Sequence, residues 1–253
     1  MFDPAWLWAL FTVIAAAAQT VRNATQRELT AKLGTVGATH VRFLFGFPFA
    51  LVFLAGVMLA LGQQLPRLPA IYWPWVIGGA FTQIAATALM LAAMNDRSFV
   101  VVYAYIKTEP VQAALFGLIF LGDAVTPSTA AAILSLELPS FVMAATFTLA
   151  IGLLLQSAVL SLYLRLRSPD VLAAIVRSWR PSLFAGFMGA LASQFWFLAF
   201  ALATAANVRT LALVEVLFAQ AISRFVFKQA TTLREALGIV LIVIGVVLLL
   251  WVL

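Results

Sequence analysis

A chain of 253 residues that is 64% hydrophobic and only 9% charged, with a mean hydropathy of +1.09, is excluded from the ordinary soluble class, where about a quarter of residues are charged. The net charge of +6 and pI near 10.3 would suit nucleic acid, but the basic residues stand at the ends of apolar runs rather than along one polar face, so no nucleic-acid partner is expected. Without cysteine there is no disulfide, iron–sulfur cluster or thiolate metal site.

Apolar runs long enough to cross a bilayer recur from end to end, and they lack the dyad alternation of a barrel. Backbone groups in hydrocarbon must satisfy one another, so the expected fold is an all-α polytopic membrane protein. The first run begins at Pro4 without a basic n-region or a small-residue cleavage site, and reads as a retained helix over 5–22. A helical continuation through Asn23 and Gln26 also fits. Trp6 and Trp8 stand where an interfacial belt would be. Arg22, Arg27, Glu28 and Lys32 read as a polar connection closed by Gly34 and Gly37. A second helix over 36–61 has His40 and Arg42 in its first turns and Pro48 as a kink. A turn over 63–69 carries Arg67. A third helix over 75–94, preceded by Tyr72 and Trp73, contains Thr82, Gln83 and Thr87, and the short connection at 95–98 joins it to an antiparallel neighbour. The fourth covers 100–121. A fifth opens at Pro127 but meets a polar break at 135–139, too short to span. Helices over 140–164, 181–203 and 206–228 follow, with a basic connection between the first two, and a last helix covers 235–253. In that helix Gly238 and Gly245 lie near one face, suited to close helix contact.

Residues 100–126 and 206–232 match at an offset of about 106, which puts Glu109 on Glu215 and ends both in Ala-x-Thr. The third helix matches 181–203 at the same offset, and the second, from His40, matches 140–164 more loosely. The expected architecture is therefore a ten-helix bundle of two inverted five-helix repeats, 1–134 and 135–253, in which an odd helix count makes the halves enter from opposite sides. No sixth helix is visible: either the protein has lost it, or, the favoured reading, a longer chain carries it near 134–139. About 40 residues would restore the symmetry near 134–139, at about 20 per span, and an intact mass of 27.3 kDa would refute a longer chain.

Arg42-Phe43-Leu44, Gly122-Asp123 with Thr126-Pro127, the run from Gly238 to Val246, and Glu109-Pro110-Val111 with Glu215-Val216-Leu217 resemble the EamA-type ten-helix members of the drug/metabolite transporter superfamily. The resemblance covers most of the chain. It implies a basket of two five-helix repeats whose fourth and ninth helices line a central cavity, and an exporter of amino acids, aromatic ones included, or of other metabolites. The sequence departs from the family in lacking a visible sixth helix and in carrying Lys228-Gln229 where the first half has Gly122-Asp123.

An ionised carboxylate in mid-bilayer costs at least about 2.5–3.5 kcal/mol, so Glu109 and Glu215 need a reason to be there. Tyr105 and Gln112 share the face of Glu109, whereas Lys107 and Tyr103 project elsewhere. One reading has both acids facing a wet cavity, where they bind a cationic group or exchange a proton. The other is a structural ion pair such as Lys107 with Glu215. His40, the lone histidine, either joins proton coupling or is structural. Asn23, Gln19, Gln83, Gln156 and Gln194 either line a pathway or bond between helices. Phe99, Phe195, Trp196 and Phe200, with the two tyrosines, offer an aromatic wall. The substrate-site candidates are Glu109, Glu215, Tyr103, Tyr105, Lys107, Gln112, Gln83, Trp196 and Asn23; the proton-coupling candidates are His40, Glu109 and Glu215. Arg209 and Arg224 near helix ends read as snorkelling.

No HExxH, GxSxG or GxxxxGK[ST] pattern is present, which leaves a membrane enzyme the distant alternative and disfavours an ATP-driven pump. The expected function is secondary export of small metabolites by alternating access, with exchange or flipping of nucleotide-sugar, lipid-linked or drug-like substrates as the rival. The expected partners are a small-molecule substrate and the lipid bilayer, in a monomer or weak homodimer, without metal or cofactor. Arg22, Arg27, Lys32, Arg97, Arg165, Arg167, Arg177, Arg180, Lys228 and Arg234 fall on one side of the ten-helix scheme and chiefly Arg67 on the other. The positive-inside rule then places the chain in the cell inner membrane with both termini periplasmic.

Overall fold

A computed structural model describes residues 6–66, 68–107, 140–203, 205–230 and 232–252. Among the described residues all regular structure is helical, and four helices are long and apolar enough to cross a membrane. The first, α1 (Leu7–Leu61), is helical on both sides of a single break at Gly34, where φ is 66° and ψ 172°. Glycine adopts that backbone without the Cβ clash other residues meet. Gln26 Nε2 donates to the Ala38 carbonyl at 2.8 Å. Twelve residues of straight helix would separate these groups by about 18 Å, so α1 folds back as a hairpin of two arms, 7–33 and 35–61.

This corrects the expected connection over 22–37. The stretch from Arg22 to Leu33 is polar but holds no glycine or proline, so it stays helical, and only Gly34 turns the chain. Arg22 is accordingly buried within a helix rather than exposed at an end. Pro48 lies inside the second arm without a non-helical break.

α2 (Tyr72–Asp96) leads into α3 (Phe99–Ile106), capped by Ser98 Oγ, which accepts from the Val101 N–H at 3.4 Å. α4 (Phe141–Arg167) follows the same pattern, Ser140 Oγ accepting from Met143. Next comes α5 (Pro169–Arg177), which hydropathy had left as a connection. It is a short amphipathic helix with proline in its first turn, Asp170 near its N-terminus and Ile175 fully buried. Val171 packs so close to Gly37 that a Cβ there would lie 2.7 Å from its methyl carbon.

α6 (Trp179–Leu202) packs along both arms of α1. Gly186 permits the crossing, since a Cβ on it would stand 2.5 Å from the carbonyl carbon of Phe45, and Gly46 meets the Gly186 carbonyl in return. Instead of one helix over 206–228, the chain forms α7 (Ala205–Leu211), a 3₁₀ turn (Ala212–Val214) and α8 (Glu215–Phe225). α9 (Leu233–Val252) begins with a capping box: Glu235 Oε2 accepts from the Thr232 N–H at 2.8 Å while Thr232 Oγ1 accepts from the Glu235 N–H at 3.3 Å. Among the described residues, no atom lies within 4 Å of the Cβ position of Gly238 in α9.

The helix limits echo one another at the offset of about 106 residues. The second arm, 35–61, maps onto α4, α2 ends where α6 ends, and α3 begins where α7 begins. The end of α3 maps onto the start of the 3₁₀ turn. Two apolar clusters fix directions. Leu29, Leu33, Met94, Leu164 and Ile175 pack together at the Gly34 end, and Leu54, Tyr72, Val76 and Met143 at the other. α2 and α4 thus run towards the Gly34 end, whereas the second arm and α6 run away from it.

Candidate functional site

A hydrogen-bonded chain of buried polar groups joins α1, α3, α6 and α8. Asn23 Oδ1 accepts from Arg22 Nε at 2.9 Å and from its Nη2 at 2.6 Å. Asn23 Nδ2 donates to the Tyr103 hydroxyl at 2.6 Å, which in turn donates to the Gln19 carbonyl at 3.5 Å. The Gln19 amide accepts from Trp196 Nε1 at 3.1 Å and donates to Glu215 Oε2 at 3.0 Å. Lys107 Nζ lies 2.9 Å from Glu215 Oε1, a charge contact that lacks hydrogen-bond alignment. Glu215, Arg22, Asn23 and Tyr103 are all buried.

Local structure explains these positions. The 3₁₀ turn ends at Val214, so Glu215 opens α8, and its carboxylate stands at a helix N-terminus, the end that favours negative charge. Lys107 sits at the C-cap of α3, the end that favours a cation. The backbone N–H of Phe99, which starts α3, donates to Gln229 Oε1 at 3.2 Å, and that oxygen also accepts from Ser223. Gly189 makes room for two arginines at once: a Cβ on it would lie 3.0 Å from Arg22 Cδ and 3.5 Å from Arg42 Cγ.

Beside this chain lies a cavity of about 120 Å³, lined by Arg42, Gln83, Thr148, Gln156 and Ser193 among smaller and apolar residues. Arg42 Nη1 donates to Thr87 Oγ1 at 3.0 Å, and that hydroxyl donates to the Gln83 carbonyl at 2.8 Å.

Of the sequence candidates, Glu215, Lys107, Tyr103, Asn23 and Trp196 come together in the buried chain, and Gln83 lines the cavity. Tyr105 does not join them; it is 74% exposed, because α3 turns its face outward. Glu109 and Gln112 lie outside the described residues. His40 is buried and shares a hydrogen bond of 3.0 Å with Ser161 of α4, within the packed helices rather than in water. Gln194 bonds Thr146, an interhelical tie. The aromatic wall divides: Phe99 meets Tyr103 and Phe227 at a tilt, Phe195 meets Phe11, and Phe200 stacks on Trp196 under the Arg209 guanidinium. Arg22 and Arg42 were not among the expected site residues. Their sequence signal, an arginine within an apolar run, reads equally as a helix-end charge.

Comparison with known proteins finds no match among family models, curated proteins or solved structures.

Proposed function

We propose that the chain is a secondary transporter that exports small metabolites, amino acids first among them, by alternating access between two inverted five-helix repeats. The observation that carries this reading is a cavity between α1, α2, α4 and α6, helices from both halves, with Arg42, Gln83 and Gln156 in an otherwise largely apolar wall, beside a buried chain that runs from Gln19 in the first half to Glu215 in the second. Matching helix limits and opposite helix directions favour the inverted repeat, a design that places substrate sites at the repeat interface. The likeness to EamA-type transporters points the same way. The basic residues of α4 and α5 gather at the Gly34 end with Lys32, so that end is the cytoplasmic one and both termini are periplasmic.

The cavity volume of about 120 Å³ is small beside the roughly 300 Å³ and more of drug-sized sites, which favours small solutes over nucleotide-sugar, lipid-linked or drug-like ones. The test is counterflow into proteoliposomes with a panel of radiolabelled amino acids. Saturable uptake driven by internal unlabelled solute is expected, and uptake no faster than in empty liposomes across the panel would defeat the proposal.

A further inference from the structure

Resting on the transport reading, we infer that Arg42 forms a carboxylate-binding site, docking the acid group of a small organic acid or amino acid in the cavity it lines. Arg42 stands about 12 Å along the second arm from the Gly34 bend, and Gln156 and Gln83 stand about 16–20 Å from the same-end termini of α4 and α2, so the site lies deep along the helix axes and opens on the side where Gln83 is exposed. Three cations, Arg22, Arg42 and Lys107, are drawn into this interior, against one carboxylate, Glu215, among the described residues. That carboxylate is already held by Lys107 and Gln19. Arg22 is partly satisfied by Asn23 but keeps Nη1 without a partner among the described residues.

Arg42 has a single neutral oxygen, that of Thr87, and no carboxylate within ion-pair distance among the described residues. Its side chain is packed beside Arg22 around Gly189, so two like charges crowd one small space. Arg42 is half-buried, and a cation drawn partly out of water needs a counter-charge to offset the hydration it loses. The guanidinium is the side chain best matched to a carboxylate, which it grips through two parallel N–H donors. The rest of the cavity supplies neutral donors and acceptors, Gln83, Gln156, Thr148 and Ser193, but no acid among the described residues. It is therefore built for an anion with polar neighbours rather than for the cationic group that Glu215 alone would attract.

The test uses the full chain in nanodiscs, with L-alanine, propionate and L-alaninamide as probes read by calorimetry. Alanine and propionate are expected to bind and alaninamide, whose acid is neutralised, to bind at least about tenfold more weakly, the scale of one hydrogen bond to a charged group. Arg42→Gln is expected to lower alanine affinity about 10- to 100-fold, and Arg42→Lys to retain part of it. Gly152 lines the cavity with open space at its Cβ position, so Gly152→Leu fills the site without disturbing the charge, and loss of binding there is expected as well. Alaninamide binding as tightly as alanine, or unchanged alanine affinity in Arg42→Gln or in Gly152→Leu, overturns the inference. If the binding pattern holds but no counterflow occurs, transport falls and the site stands. If counterflow accepts alanine and alaninamide alike and ignores Arg42, the site falls and transport stands.

Discussion

Removing one partner of the Lys107–Glu215 pair separates two energetic effects. The pair is 2.9 Å apart, with side chains 12% and 1% exposed, so solvent screens it little. In Lys107→Met the Glu215 carboxylate keeps the Gln19 amide but loses its counter-charge. Stranding a buried charge in this way costs about 3–5 kcal/mol, whereas replacing both partners by neutral residues of similar volume is often nearly neutral. The double variant Lys107→Met/Glu215→Gln is therefore expected to be more stable than Lys107→Met alone, with a coupling energy of about 2–3 kcal/mol after allowing for the retained Gln19 bond. Unfolding of the purified protein in detergent, followed by tryptophan fluorescence across a denaturant series for all four members of the cycle, measures this directly. Additive single effects would refute the pairing. Running counterflow on the same four proteins then separates the two roles: a double variant that is stable but inactive makes Glu215 part of transport, and one that is stable and active makes the pair a strut between halves.

Three further outcomes follow from the backbone. Gly186→Val is expected to abolish the folded yield, read by size-exclusion profile, because its side chain would enter the Phe45 carbonyl, while Gly238→Ala, in open space, leaves the profile unchanged. Lys228 adopts a positive φ of 52°, at the repeat position where the first half has Gly122, so Lys228→Gly is expected to stabilise the protein by about 1 kcal/mol in the same unfolding assay. The chain has no cysteine, so single cysteines at positions 32 and 64 report topology in intact cells. Position 64 is expected to react with an impermeant maleimide and position 32 to be protected, and the reverse pattern would invert the assignment.

The legible part of this molecule is the part written in local hydropathy and in the chain's likeness to itself. The offset of about 106 residues, found by laying Glu109 over Glu215, returns in the limits of α2, α3 and α4 and their counterparts, because a shared pattern of breaks puts helix ends at matching places. The pairing of Lys107 with Glu215 was also open to sequence, since two opposite charges on adjacent apolar helices have few other partners. What escaped depended on distant glycines. The absence of glycine and proline around Arg22 keeps its backbone helical, but the room for its side chain between helices comes from Gly189, whose missing Cβ leaves space for its stem, and nothing near Arg22 in the chain signals that burial. Arg42 was read as a helix-end charge for the same reason. Tyr105 is exposed near the end of α3, and its expected neighbour Glu109 lies outside the described residues. The positions where local rules failed are those where charge enters the bundle, and these are also the positions on which a polar pathway through an apolar protein has to rest.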